Sequence, residues 1–251
     1  MPGPRLDLDA HRNLGELLGT AFALFGRHAG LFLGVTLLVV APVALVVDGV
    51  WGRRLADGAD ADVPLGATVA SLGLSAVVVP TLVTALHAVI VQRLGRGEEP
   101  TIGEALDAAA DRVLPAVGAV VLYVLGVAAG IVAFVIPGFY LGVRWYFSAQ
   151  AAVIDGLAPR AALARSGELV EGSWWRVAGL LVVAGLVFGL LGGVLQAVID
   201  ATGAGLLYVL LLIAEQTLVL SLTALFGTLL FFDLRARRWS GGREPVLGGE
   251  R

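Results

Sequence analysis

Apolar and polar positions follow one another in blocks along this chain. Six apolar blocks read as membrane spans, over residues 30–50, 65–92, 113–136, 139–154, 176–199 and 205–232. A 21-residue helix rises about 31 Å, enough for a hydrocarbon core of about 30 Å. The fourth block, about 16 residues, is short for a crossing and needs a thinned bilayer or snorkelling ends. The first block is longer than a signal-peptide core and nearly thirty residues precede it, so it reads as an uncleaved span. Pro42 predicts a kink within it.

Three polar segments with helical periodicity separate the blocks. In the first, residues 11–28, Leu14, Leu17, Leu18, Ala21, Phe22 and Phe25 share one face, and Asn13 with Glu16 predicts a capping box. Thr101 and Glu104 repeat that box at the start of a second segment, which runs to about residue 112. Pro159 opens a third, to about residue 172. Polar helix, span, short connection and span thus recur from near Asn13, Thr101 and Ala158, a possible three-fold repeat. Residues 136–139, Ile-Pro-Gly-Phe, read as a tight hairpin between the third and fourth spans. The expected fold is an all-α membrane protein with six spans and three interfacial amphipathic helices. Its parts are an N-terminal tail (1–10), a membrane domain (11–234) and a basic tail (235–251).

Composition agrees: 58% of residues are hydrophobic and 15% charged, against about 25% charged in a soluble domain. The chain has no cysteine, which excludes disulfides, thiolate metal sites and cysteine nucleophiles. All 17 basic residues are arginine, and the net charge of −3 gives no case for nucleic-acid binding. Arginine placement orients the spans. With both termini cytoplasmic, fourteen arginines fall on the cytoplasmic side and only Arg53 and Arg54 outside, with Arg144 inside the fourth span. This puts Trp51 and Trp145 near the outer interface and Trp174, Trp175 and Trp239 near the inner one.

Two charged residues fall inside spans. Arg144 is either a functional group or a side chain that snorkels to the outer headgroups beside Tyr140 and Trp145. Glu215 sits about ten residues into the sixth span, where a carboxylate must be protonated, paired or hydrated. By helix rise its Cα lies about 7 to 8 Å in depth from that of Arg144, so an ion pair is expected, with Asp48 of the first span as the competing partner. Gln150, Gln196 and Thr217 are scattered around their helices, which argues against a wide aqueous channel. Gly126 and Gly130, then Gly185, Gly189 and Gly193, form small-xxx-small rows suited to close helix packing or to an oligomer. No phosphate-binding loop, metal-ligand spacing or nucleophile elbow is present, and His11, His28 and His87 are dispersed. No cofactor and no catalytic residue is expected.

Ile136-Pro137-Gly138, Tyr140, Arg144, the helix from Leu163 to Glu168, Trp174-Trp175-Arg176 and the closing Phe232-Asp233-Leu234-Arg235 together resemble a known pattern. The chain is similar to the membrane domain of bacterial glycerophosphoryl diester phosphodiesterases and to related stand-alone six-span proteins. Phe232 stands where that family has a tyrosine, and the acidic continuation of its tail is missing. The hydrolase domain of those enzymes has no counterpart in this sequence. The resemblance therefore implies six spans and a non-catalytic role, with Pro137, Gly138, Arg144, Trp174, Trp175, Asp233 and Arg235 as its marked residues. The expected function is a lipid-contacting scaffold or accessory subunit of the inner membrane, its cytoplasmic helices meeting anionic lipid or a protein partner. The alternative is a permease for a lipidic or small amphipathic solute, with Glu215 and Arg144 at its site.

Overall fold

The computed structural model describes residues 7–8, 11–56, 65–203 and 205–240, and among them every regular element is helical. In chain order these are α1 (Leu14–Arg27), α2 (Ala29–Ala56), α3 (Leu65–Gly73), a π turn (Leu74–Val78), α4 (Val79–Gly95), α5 (Ile102–Ala133), α6 (Val135–Arg144), α7 (Ser148–Ile154), α8 (Pro159–Val170), α9 (Trp174–Asp200) and α10 (Leu206–Ser240). Among the described residues, five stretches are long and apolar enough to cross a membrane: in α2, in α3 through α4, and in α5, α9 and α10. The chain is compatible with a multi-pass membrane protein.

Local chemistry explains most boundaries. Asn13 and Thr101 each accept a hydrogen bond from the amide three residues on. Glu16 and Glu104 return it to the cap amides at 2.7 and 2.8 Å. α8 starts differently, with Pro159 in its first turn and no side-chain cap. The π turn has its cause in Pro80. Proline lacks the N–H that would meet the Ala76 carbonyl and its ring crowds that carbonyl, so the ladder skips a residue and the Val79 N–H reaches back to Leu74.

The third polar segment stays separate from the span after it, but the second does not. Residues 102–133 form one helix, and Pro115 sits inside it without ending it. The three units of the expected repeat are therefore not built alike. The reversal expected at residues 136–139 lies instead at Phe134, one extended residue between α5 and α6. Pro137 and Gly138 belong to the first turn of α6, where proline is well tolerated. There α6 meets α5 with almost no gap: a Cβ on Gly138 would stand 2.3 Å from Ile131 Cγ1 and 2.6 Å from its backbone nitrogen.

The fourth apolar block, expected as one short span, is two short helices broken at Trp145–Phe147. They run back along α5: Gly138 lies against Gly130 and Ile131, the Trp145 ring covers Gly126, and Arg112 donates to the Val153 carbonyl. A side chain from α8 heals the break. Ser166 Oγ accepts the Phe147 N–H at 3.1 Å and donates to the Arg144 carbonyl at 2.9 Å. Irregular backbone at membrane depth persists only where protein satisfies it in this way.

The C-terminal half of α10 is the axis of the core. Leu225, Phe226, Leu229, Leu230 and Phe231 are all but fully buried, and Phe147 packs on Phe231. α10 continues to Ser240, so the start of the expected basic tail is helical, while 241–251 lie outside the described residues. Leu114, Val132, Phe134 and Ile136 are 77 to 88% exposed, an apolar outer surface on α5 and α6.

Candidate functional site

Charged groups interrupt the apolar bundle at Asp233, at Arg144 and at Glu215. The first surrounds Asp233, whose carboxylate is fully buried. It accepts the Arg12 backbone N–H at 2.7 Å and Arg237 Nε at 2.9 Å, and Arg176 Nη1 lies 3.0 Å away. The last contact is a charge contact, because the Nη1 hydrogens point off the line to the carboxylate. Arg176 and Arg237 each donate from Nη2, at 2.9 Å, to the Arg12 carbonyl. Both backbone groups of Arg12, its N–H and its C=O, are thus held by side chains of α9 and α10. Beside it, Asp155 pairs with Arg165 at 3.2 Å and Arg235 at 3.4 Å, and Arg238 meets Glu171.

The second centre is Arg144. It donates to the Tyr140 hydroxyl at 2.8 Å, and its guanidinium fills the space beside Gly167 of α8, where a Cβ would stand 3.0 Å from Nε. Tyr140 in turn stacks on Trp174, ring centroids 5.8 Å apart, and its carbonyl accepts the Trp174 Nε1–H at 3.2 Å. This corrects the expected depths: Tyr140 and Trp174 share one level and cannot mark opposite interfaces of a bilayer.

The third centre is Glu215. Its Oε1 lies 3.0 Å from where a Cβ on Gly192 would be, so the carboxylate packs closely on α9 at that glycine. The carboxylate borders a cavity of about 340 Å³ with Val40, Ala44, Ser75, Val79 and Gln216. Ser75 comes from the π turn, a distortion often found at functional sites. The expected ion pair does not form: Arg144 is engaged with Tyr140 and α8, and Glu215 has no ion-pair partner among the described residues. Asp48 falls in α2, and its side chain lies outside the described residues.

The residues marked by resemblance are spread over α6, α9 and α10. Pro137 and Gly138 open α6, Arg144 closes it, Trp174 packs on Tyr140 and edge-on against Trp175, and Asp233 and Arg235 each belong to an ion-pair cluster. Compared with known proteins, the chain matches no protein family, no curated protein and no solved structure.

Sequence reasoning missed Arg12 as a partner of Asp233, because their 221-residue separation leaves no local signal. It also left His87 unplaced. The ring is buried, bonded to the Val83 carbonyl and to Ser221 Oγ, each at 2.8 Å, and stacked on Phe32. That arrangement locks α2, α4 and α10 together and leaves neither ring nitrogen open to a substrate. Among the described residues no group of three or more acidic or histidine side chains could hold a metal ion.

Proposed function

We propose that this chain is a non-catalytic integral membrane protein, a lipid-contacting scaffold or accessory subunit with both ends on the cytoplasmic side. The supporting observation is a division among its arginines. Arg165, Arg176, Arg235 and Arg237 are spent on buried or half-buried acids. Arg27, Arg96 and Arg160 are exposed and join no ion pair among the described residues. They stand at the end of α1, after α4 and in the first turn of α8, one beside each polar segment. Such cations attract anionic lipid roughly fivefold each.

The contact of Arg12 with Asp233 supports an even number of passes, since both ends of the bundle then lie on one side. With five long helices, the α5–α6–α7 unit decides the count. In a six-pass arrangement α6 and α7 are the return. The stacking of Tyr140 on Trp174 favours a unit that enters and leaves on one face, with α2, α3–α4, α9 and α10 as the full passes.

The test is lipid retention in nanodiscs of mixed anionic and zwitterionic lipid, read by native mass spectrometry. Wild type should keep anionic lipid selectively, and the triple variant Arg27→Gln, Arg96→Gln, Arg160→Gln should lose that selectivity. Equal retention by both proteins removes the scaffold reading. A permease with Glu215 alone at its site is the second reading, carried by the cavity between that carboxylate and the π turn. Labelling of Ser75→Cys or Gln216→Cys by a small charged thiol reagent in intact membranes favours it.

A further inference from the structure

A separate cavity lies between α4, α5, α7 and α10, with a volume of about 210 Å³. Its polar lining comes from Thr81, Thr84, Tyr123, Tyr146, Ser148, Gln150 and Thr223, and no charged side chain borders it. The Thr81 and Thr223 hydroxyls are spent on carbonyls of their own helices. Gln150 is different. It is 4% exposed, and its Oε1 is buried with no hydrogen-bond partner. Its amide packs closely on Gly227, where a Cβ would stand 3.2 Å from Nε2.

An unpaired acceptor in a low-dielectric interior is costly, so such a group points to a missing donor. Next to this cavity runs an apolar groove of about 420 Å³ between α5, α6 and α9, lined by Val127, Ile131, Val143, Leu181 and Val182. Tyr123 and Tyr146 form the wall common to cavity and groove. The groove alone falls within the size range of small-molecule sites. An uncharged polar chamber beside an apolar trough matches one chemistry: a neutral donor head joined to a hydrocarbon chain. A carboxylate or phosphate head would lack a cation here, and an ammonium would lack an anion.

We propose that this pair of cavities binds a single-chain amphiphile with an uncharged hydroxyl head, the hydroxyl donating to Gln150 Oε1 and the chain lying in the groove. The site is distinct from the Glu215 cavity and from the exposed arginines, and does not depend on either functional reading.

The test is photolabelling in zwitterionic nanodiscs with a long-chain alcohol carrying a diazirine in its chain. Expected are saturable labelling that maps to α5, α6 or α9, displacement by a monoacylglycerol, and no displacement by a fatty carboxylate or an alkylamine of equal length. Gln150→Leu should bind about tenfold more weakly, as for one lost hydrogen bond. Its folding is checked by thermal unfolding in the same nanodiscs. Gly227→Ala, which pushes the amide from its seat, should weaken labelling as well. Three results overturn the proposal: labelling that does not saturate, which means the cavity holds water only; labelling unchanged in Gln150→Leu; or equal displacement by the charged amphiphiles.

Discussion

Replacing Asp233 by leucine is the sharpest perturbation of this fold. The carboxylate is fully buried, accepts hydrogen bonds from one backbone amide and from Arg237, and has the Arg176 guanidinium 3.0 Å away as a second cation. Removing one partner of a buried ion pair costs about 3–5 kcal/mol, mostly because the other charge is left unpaired. The Arg176 and Arg237 side chains keep 30 and 32% exposure, so water screens part of that penalty. The stranded Arg12 amide, which had a charged acceptor, adds to it. These losses share one centre and do not add, so we expect Asp233→Leu to cost about 4 kcal/mol in total. Asp233→Asn keeps an acceptor for the Arg12 amide and should cost roughly half as much. Adding Arg176→Leu to Asp233→Leu should recover about 1 kcal/mol, because the stranded cation is gone. Equilibrium unfolding in mixed micelles, followed by tryptophan fluorescence, gives all three values. If Asp233→Leu unfolds with wild-type stability, the node is an accident of packing and the argument from buried charge fails.

Other consequences are equally direct. Ser166→Ala strands the Phe147 amide and the Arg144 carbonyl and should cost about 1–3 kcal/mol in the same unfolding assay, with Ser166→Thr partly restoring it. Gly138→Ala drives a methyl into the backbone of α5 and should cost at least about 1–3 kcal/mol, whereas Gly185→Ala and Gly189→Ala meet no atom within 4 Å and should leave monomer stability unchanged. Glu215→Leu should leave stability in detergent unchanged or raised, since it removes a carboxylate with no ion-pair partner among the described residues; a clear loss would indicate a structural partner. Phe134→Cys, at the tip between α5 and α6, should resist an impermeant thiol reagent added outside intact cells; labelling from outside would establish the six-pass arrangement.

Much of the architecture was legible because local signals carried it. The capping boxes at Asn13 and Thr101 formed as their spacing dictates, and the long apolar runs became the long helices. The misplaced features are those set by tertiary contact. Pro137-Gly138 reads as a turn from sequence, yet α5 and α6 need that glycine for close approach and push the reversal to Phe134. The division expected near residue 112, between polar helix and span, is absent because one helix runs from Ile102 to Ala133. Hydropathy cannot see that a serine in α8 lets the 139–154 block break, nor that the same break sets Arg144 against α8 and out of reach of Glu215. Of the two small-residue rows, Gly126 and Gly130 serve packing within the chain, while Gly185, Gly189 and Gly193 have no neighbour against them.

The grip of α9 and α10 on the Arg12 peptide also orders events in time. Arg12 leaves the ribosome early and its acceptor 221 residues later. At about 5–20 residues per second the N-terminal segment waits roughly 10 to 45 s for Asp233. Arg176, made 57 residues before Asp233, lacks the same counter-ion for the last roughly 3 to 11 s of that interval. The last helix therefore latches the first, and a nascent chain halted before α10 displays unmatched cations at the membrane, a chemical flag by which unfinished copies can be told from finished ones.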